Sequence, residues 1–456
     1  MADEEFDFVV VGAGSAGCAL ASRLSEDGRT RVALVEAGPR DTSFWVHLPI
    51  GYGKTMWSDA VNWRFYTEPE PNMAGRRIYW PRGRVLGGSS SINGLIAIRG
   101  QPEDYDHWRA LGNAGWSWAD VLPYFKKLEA NDAEDAHRLH GRDGPVTVSS
   151  IKHRNELIEA VIGAANALGV PRTHDFNGVD QEGVGYYQLT TRNGLRMSAA
   201  KAYLKPARGR RSLRVVTNAR ATGIVFENRR ATGLRFVANS REHQVRARRG
   251  VVLSAGAIQS PQLLMLSGIG PAADLATHGI PIIADRPAVG QNLQDHLQIR
   301  LIYRCRRPIT TNDQLNSWIG QARIGLQWAL ARSGPLAVGI NQGGLFTRVL
   351  PQSKTPDIQF HIATLSADMA GGVPHPFSGC TLSVCQLRPE SRGHISLASR
   401  DPLSAPRIFA NYLDAPIDRR CVAAAVAFAR RLAQTQPFAA EIAEEMTPGL
   451  AATTEA

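Results

Sequence analysis

One short stretch near the start of the chain, FVVVGAGSAG, constrains the fold more than any other. Residues 8–11 are the aromatic and β-branched residues typical of a buried strand, and Gly12, Gly14 and Gly17 follow in GxGxxG order. Apolar residues at helical spacing come next, and a second buried strand is predicted over residues 32–35. In such a strand–turn–helix–strand unit the first glycine permits the tight turn, the second admits a pyrophosphate, and the third lets the helix pack on the strand.

The residues around this turn predict a dinucleotide site. The N-terminus of the helix offers free N–H groups and the positive end of its dipole to the phosphates, and the backbone of Gly14 can approach the pyrophosphate. Glu36 follows the second strand, where a carboxylate accepts hydrogen bonds from a ribose. The turn by itself does not distinguish FAD from NAD.

Composition narrows the class of protein. The chain has 456 residues, of which 43% are apolar and 20% charged, values that are ordinary for a large globular enzyme. The net charge of +11 comes from scattered arginines without interleaved aromatic residues, so nucleic-acid binding is not expected. The five cysteines follow no ligand spacing, which predicts a reducing compartment and no metal site.

The N-terminus and the hydropathy pattern predict a location. The sequence begins MADEEFDF, without the basic region that opens a signal peptide. Its apolar runs are too short for a transmembrane segment, which needs about 18 residues. A cytoplasmic enzyme is the expectation.

Two later stretches have patterns that do not by themselves indicate a function. GRVLGGSSSINGLIAIRG, residues 83–100, is rich in glycine and serine and suits a backbone that passes close to a flat ring or a phosphate. Taken alone, it is equally well interpreted as a turn before a strand. GAIQSPQLLMLSGIGP, residues 256–271, predicts a helix capped by Ser260, with Pro261 at its first position and its end at Gly268.

Together these stretches resemble the glucose-methanol-choline (GMC) oxidoreductases, FAD-dependent enzymes that oxidise alcohols. RMSAAKAYL (residues 196–204), VGQNLQDH (289–296) and RPESRGHISLASRDPLSAPRI (388–408) are similar to further blocks of that family, in the family's order. The resemblance runs from Phe6 to beyond Tyr412. It implies an α/β fold, α+β overall: a Rossmann-like FAD-binding domain and a discontinuous substrate domain built on an antiparallel sheet.

The resemblance also implies a set of FAD contacts. Two glycine-rich turns would hold the pyrophosphate, an acid the ribose, and backbone groups the adenine and the flavin. By position these residues are Gly12, Gly14, Ser15, Gly17, Glu36, Arg84, Gly88, Ser89, Asn93, Gly94, Leu95, Ile96 and Ala221. Some members attach FAD covalently through a histidine where this chain has Ile92, so the FAD is expected to be non-covalent. No metal ligand is implied.

The implied domains are discontinuous. Residues 1–150 and 196–300 would form the FAD-binding domain, and residues 151–195 and 301–450 the substrate-binding domain, before a tail of residues 451–456. Strand-like runs at 357–365, 380–387 and 393–399 predict an antiparallel sheet above the flavin. Asp418 is predicted to cap a helix that ends at Pro437.

The expected function is oxidation of a primary alcohol, choline-like or aliphatic or aromatic, to the aldehyde, by hydride transfer to flavin N5. The electron acceptor is left open among oxygen, a quinone and a cytochrome, so the enzyme is either a dehydrogenase or an oxidase. A cationic substrate would need an acid and aromatic rings above the flavin, and Asp357, Trp57 and Trp63 are available for that. An NAD-dependent dehydrogenase is the less favoured alternative.

No catalytic residue is predicted. In the family, the base is a histidine of a C-terminal block with an HP-rich motif and a later NTNAPT-like segment, and this chain has neither. His296, His361 and His375 are interpreted as structural or surface histidines. We therefore expect the chain to lack the catalytic block, and the alternative function is a truncated, catalytically incompetent flavin-binding fragment.

Overall fold

A computed structural model of the protein describes residues 4–133, 138–449 and 451–452. The described strands are β1 (Glu5–Val11), β2 (Val32–Val35), β3 (Phe65–Tyr66), β4 (Tyr79–Trp80), β5 (Glu129–Asn131), β6 (Val146–Ser150), β7 (Gly183–Tyr186), β8 (Gln188–Leu189), β9 (Thr191–Arg192), β10 (Leu195–Arg196), β11 (Leu213–Val216), β12 (Ala219–Glu227), β13 (Arg230–Ala238), β14 (Arg241–Leu253), β15 (Ile269–Gly270), β16 (Ala284–Asp285), β17 (Gln298–Cys305), β18 (Asn341–Thr347), β19 (Ile358–Ala363), β20 (Gly379–Gln386), β21 (His394–Ser396), β22 (Arg407–Phe409) and β23 (Ile442–Thr447).

The described α-helices are α1 (Ser15–Leu24), α2 (Phe44–His47), α3 (Tyr52–Thr55), α4 (Pro102–Ala110), α5 (Trp118–Leu128), α6 (Glu156–Ala167), α7 (Lys205–Ala207), α8 (Gly256–Leu266), α9 (Ala272–Thr277), α10 (Thr311–Leu315), α11 (Trp318–Ala331), α12 (Pro416–Gln434) and α13 (Phe438–Glu441). Short 3₁₀ turns cover Pro49–Gly51, Pro71–Met73, Gly88–Ser91 and Pro335–Ala337, and a π-helical turn covers Ala200–Leu204.

The first large sheet holds the predicted glycine turn. Its strand order is β11-β2-β1-β14-β13-β12; β11, β2, β1 and β14 run parallel, and β13 and β12 continue the sheet antiparallel. The valines of β1 are buried on both faces: Val9 and Val11 pack among the strands and α8, and Val10 packs against α1. Burial on both faces is what a parallel strand needs, and it explains why residues 8–11 and 32–35 are continuously apolar.

The second large sheet is wholly antiparallel, in the order β23-β17-β20-β19-β18-β7. One of its faces is apolar and packs on α6 and α12 through side chains such as Ile158, Phe360 and Phe428. Its other, more polar side carries Arg300, Ser383 and His361, together with apolar side chains such as Ile302 and Phe346. We call the polar side of this sheet the substrate face. An α/β unit joined to an antiparallel sheet confirms the predicted fold class.

Three local predictions are wrong. Pro261 lies inside α8, which begins at Gly256, so Ser260 does not cap it. Asp418 does not cap α12; its buried carboxylate accepts hydrogen bonds from the backbone N–H groups of Glu390 and Ser391, both at 2.9 Å, and so ties the helix to the loop after β20. Residues 394–396 pair with β22 in a separate two-stranded sheet, so the third predicted run does not join the large one.

Candidate cofactor and substrate site

A cavity of about 490 Å³ opens where the first sheet meets the N-terminus of α1. Its walls are the turn after β1, the end of β2, the start of β12 and the start of α8. Seven of the sequence-predicted residues line it: Gly12, Gly14, Ser15, Glu36, Gly88, Ser89 and Ala221. Residues about 200 positions apart in the sequence therefore meet at one site.

Close approaches between glycines shape the floor of the cavity. Gly12 has a φ of +92°, which favours glycine, and a Cβ on Gly17 would lie 1.8 Å from the Gly12 carbonyl oxygen. A Cβ on Gly88 would lie 2.6 Å from the Cα of Gly14. The two glycine-rich segments can therefore meet only without side chains. The N-cap of α1 is Gly14, with no side-chain cap, so the first N–H groups of the helix stay available to an anion.

Glu36 lies buried at the end of β2. Its carboxylate accepts hydrogen bonds from the backbone N–H groups of Ala13 and Gly38, both at 2.8 Å. Burial raises the pKa of Glu36 to about 7, although these N–H groups oppose the rise. The carboxylate lines the cavity, where it can also accept hydrogen bonds from a ribose.

Sequence reasoning missed several cavity residues. Trp63, Arg82 and Arg220 line the cavity, together with residues 254–260. The guanidinium groups of Arg84 and Arg220 lie 5.5 and 5.1 Å from the centre of the Trp63 ring. Residues 256–260 belong to the GAIQSPQLL stretch, for which the sequence predicted a helix but no contact with the cofactor; its position directly after a buried strand was the available signal. The arginines carried no local signal.

The cavity fits the adenosine diphosphate half of FAD. Glycine turns and a free helix N-terminus suit a pyrophosphate, arginines add positive charge, and a buried carboxylate suits a ribose. Gly17 packs beneath the turn, since its Cβ would strike the backbone of Gly12. Arg84 lies beside the cavity against Trp63.

Asn93, Gly94, Leu95 and Ile96 lie outside this cavity, in the loop that continues from Ser89. The Asn93 side-chain oxygen accepts a hydrogen bond from Nη1 of Arg196 at 2.8 Å and from the Leu95 N–H at 3.2 Å. Leu95 has a φ of +70°, and Ile96 pairs with Leu189. Arg196 is buried, and its Nη2 has no hydrogen-bond partner among the described residues. We call residues 93–96 the flavin loop, because the family resemblance assigns them to the flavin.

The chain that leads into β18 of the second sheet lies next to this loop. A Cβ on Gly339, just before β18, would lie 3.1 Å from the Gly94 carbonyl oxygen and 3.9 Å from the ring of Tyr52. In the register of the sheet, Arg300 of β17 and His361 of β19 both lie opposite Ser383 of β20. Residues directly opposite one another share a face, so all three belong to the substrate face.

His361 is held in one protonation state. The Nδ1 atom of its ring lies 2.9 Å from Nε2 of Gln298, which is the donor of that amide group. Burial, together with the nearby His296, lowers the pKa of His361 to about 4. His361 is therefore neutral at pH 7, with its proton on Nε2, and it can donate a hydrogen bond but holds no positive charge.

The other two histidines considered from sequence have simpler roles. His375 contacts Ser366 at 3.1 Å and Asp368 at 3.0 Å and stacks on Phe377, so it fixes the loop before β20. His296 is exposed next to His361. Over the part of the chain that the structure describes, no group of three or more His, Cys, Asp or Glu side chains could hold a metal ion. In the same residues no helix has both the length and the apolar character needed to cross a bilayer.

The fold and the cavity define a dinucleotide-binding α/β protein with an antiparallel sheet next to its cofactor site. Two sequence profiles described as GMC oxidoreductase match the chain, one over residues 6–298 and one over residues 389–456. The chain belongs to the GMC oxidoreductase family, which is FAD-dependent.

Relatives from bacteria and human are similar over nearly the whole chain. An alcohol dehydrogenase [acceptor] from Pseudomonas putida is 40% identical over 99% of this chain and 82% of its own length. An oxygen-dependent choline dehydrogenase from Brucella anthropi is 43% identical over 92% of this chain and 76% of its own. The mitochondrial choline dehydrogenase of Homo sapiens is 41% identical over 98% of this chain and 76% of its own length.

Solved structures share the fold. Pyridoxine 4-oxidase from Mesorbium loti superposes with a TM-score of 0.86 at 30% identity, over 97% of this chain and 83% of that one. A variant of formate oxidase from Aspergillus oryzae, described for an effect on FAD modification, gives a TM-score of 0.93 over 100% of this chain and 85% of that one. At 24% identity, this second likeness concerns the fold alone.

The expectation that the chain lacks the C-terminal block is not borne out, because the C-terminal family profile matches residues 389–456. The expectation rested on two short segments, an HP-rich motif and an NTNAPT-like one. The profile matches a longer region that includes β21, β22 and α12. The absence of two short motifs was the wrong criterion for the presence of the region.

Proposed function

We propose that the protein binds FAD non-covalently and uses it to oxidise a primary alcohol to the aldehyde. The observation that carries the proposal is the continuity of the site: the dinucleotide cavity leads through Gly88 and Ser89 into the flavin loop, which lies next to the chain that leads into β18 of the second sheet. An alcohol bound between the loop and the sheet would lie next to the flavin. The relatives named as alcohol and choline dehydrogenases support this reaction class.

Each predicted residue has a proposed role in this function. Gly12, Gly14, Ser15 and Gly17 form the pyrophosphate turn, Glu36 accepts hydrogen bonds from the ribose, and the backbone of Ala221 faces the adenine. Arg84, Gly88 and Ser89 line the passage to the flavin loop, Asn93 to Ile96. We also propose that residues 1–150 and 196–300 serve the cofactor and residues 151–195 and 301–450 the substrate.

The bound flavin supplies the chemistry by accepting the hydride from the alcohol carbon. The chain orients the alcohol. Neutral His361 donates a hydrogen bond from Nε2 to the alcohol oxygen, while Gln298 fixes the tautomer. A group that donates this hydrogen bond does not take the hydroxyl proton, so we do not assign the base to His361. The electron acceptor stays open among oxygen, a quinone and a cytochrome, and the cytoplasmic location stays a prediction.

Two absorbance measurements test the proposal. The protein is incubated with FAD and desalted, and a two-band flavin spectrum is expected to remain and to bleach when benzyl alcohol or 1-butanol is added without oxygen. Acid precipitation is then expected to leave the flavin in solution, since the buried Ile92 offers no group for a covalent bond. A protein that is colourless after desalting would contradict FAD binding, and a spectrum that no primary alcohol bleaches would contradict alcohol oxidation. Flavin in the precipitate would contradict non-covalent attachment.

A further inference from the structure

The substrate face carries a guanidinium, Arg300, that forms no ion pair with a carboxylate in the described part of the chain. Arg300 donates from Nη1 to the Asp368 carbonyl oxygen at 3.1 Å and from Nη2 to the Ala367 carbonyl oxygen at 3.0 Å. Burial lowers its pKa, but a guanidinium remains protonated at every ordinary pH.

A second buried cation, Arg196, also acts on Tyr52. Arg196 donates to the Val46 carbonyl oxygen at 2.9 Å and to Asn93, and its remaining Nη2 is unpaired within the described chain. Burial raises the pKa of Tyr52, and the charges of Arg196 and Arg300 both oppose that rise. Both guanidinium groups are therefore close enough to Tyr52 to act on its hydroxyl.

Three acids that could serve this region have contacts of their own. Asp357, considered from sequence for a cationic substrate, is buried and accepts from the N–H groups of Val349 at 2.9 Å and Leu350 at 3.0 Å. Asp295 accepts from the Tyr412 hydroxyl. The Asp368 carboxylate favours the charged form of Arg300 through space, but it is 94% exposed to screening water and contacts His375.

Further along the same sheet, Glu444 of edge strand β23 pairs with Arg304 at 3.3 Å. At the start of β18, beside Tyr52, the chain has the uncharged Asn341.

The aromatic candidates are also elsewhere. Trp63 lines the cofactor cavity, where two arginines already flank it. Trp57 stacks on Tyr79 at 4.4 Å and donates its indole N–H to the Ala370 carbonyl oxygen at 3.0 Å. The acid and the two tryptophans considered from sequence for a quaternary ammonium are therefore already engaged in other contacts.

Resting on the proposed function, we propose that the alcohol taken by this site is uncharged or anionic, and that Arg300 is the specificity-determining residue that rejects cationic alcohols such as choline. An unpaired, half-buried guanidinium repels a cation bound nearby, because partial burial reduces screening by water. It has no such effect on a neutral alcohol, and it can donate hydrogen bonds to an anionic one.

Choline and 3,3-dimethylbutan-1-ol provide the test, since they differ only in a quaternary nitrogen in place of a quaternary carbon. With the FAD-loaded protein, we expect kcat/KM for the neutral alcohol to exceed that for choline by about tenfold or more. Dissociation constants, from the change in flavin fluorescence on titration with each alcohol, should show the same order. A wild-type protein that prefers choline or binds both equally would overturn the proposal.

Variants of Arg300 distinguish an effect of its charge on substrate preference from an effect of the substitution on folding. Arg300→Gln should bring the ratio close to one and Arg300→Glu should reverse it, whereas Arg300→Lys should preserve it. Arg210→Gln is the matched control: Arg210 is also half-buried and bound to a carbonyl oxygen, that of Ser22 at 2.6 Å, but it lies at the C-terminal end of α1. An unchanged ratio in Arg300→Gln would overturn the assignment to Arg300. If no alcohol bleaches the flavin, the proposed function fails, and the two dissociation constants still decide the charge preference.

Discussion

Glu36 combines two opposed requirements in one side chain. Its carboxylate is buried, which favours the protonated form, yet its proposed task of accepting hydrogen bonds from a ribose is best done by the ionised form. The backbone N–H groups of Ala13 and Gly38 reduce the conflict without removing it. The free protein therefore bears a cost in stability that a bound ribose offsets.

The contribution of Glu36 to the stability of the FAD-free protein depends on pH. In the folded protein the pKa of Glu36 is about 7, above the ordinary value of 4.5 that applies to the unfolded chain. Between these pH values the folded state holds a proton that the unfolded state has released, so the contribution of Glu36 is fully present below pH 4.5 and is lost as pH rises through 7. We expect Glu36→Gln to flatten this part of the stability curve of the FAD-free protein, measured by urea unfolding from pH 4.5 to 8.

The same variant should weaken FAD binding by about tenfold or more at pH 8, because a charge-assisted hydrogen bond becomes a neutral one. Glu26→Gln is a suitable control, since Glu26 is exposed and pairs only with Arg23 on the surface. Equal pH slopes in wild type and Glu36→Gln, or equal affinity for FAD, would contradict the role of Glu36.

At the scale of elements, the unit from β1 to β2 depends on a contact between helix and turn. The position of a Cβ on Gly17, 1.8 Å from the Gly12 carbonyl oxygen, leaves no room for alanine unless α1 moves away from β1. Gly17→Ala should destabilise the protein by about 3 kcal/mol and abolish FAD binding. Gly325→Ala makes the same change inside α11, where a Cβ meets nothing within 4 Å, and it should stabilise by up to about 1 kcal/mol. Thermal unfolding of both variants is the measurement; equal melting temperatures would contradict the argument.

This unit was predictable from sequence because each of its signals is local. The strands are continuous apolar runs, and the glycines fall at fixed spacing within a few residues of one another. The start of α8 was misplaced because Ser-Pro is a common way to begin a helix, whereas here Pro261 is accommodated inside it. The substrate face could not be predicted in this way, since Arg300 and His361 meet through the pairing of strands that are about 60 residues apart in sequence.

At the scale of the whole molecule, the two halves of the cofactor have different surroundings. The cavity proposed for the adenosine diphosphate half is built around the first sheet and is lined by the glycine turns, Glu36 and α8. The flavin half would lie between the flavin loop and the substrate face, which come from separate parts of the chain. Only the intact dinucleotide would contact both regions, so its binding should couple the stability of one to that of the other.

ADP and FMN each represent one half of FAD, so they measure the contributions of the two halves to binding separately. A ligand that binds only the folded state stabilises it by about 2.7 kcal/mol at a concentration of 100 times its dissociation constant. When all three are added at the same concentration, we expect FAD to raise the melting temperature most, ADP to raise it less and FMN to raise it least. The reason is that the cavity suits the adenosine diphosphate half. Glu36→Gln should remove most of the shift caused by ADP and leave any shift caused by FMN unchanged. An FMN shift as large as that of FAD, with none for ADP, would show that the flavin half carries the affinity.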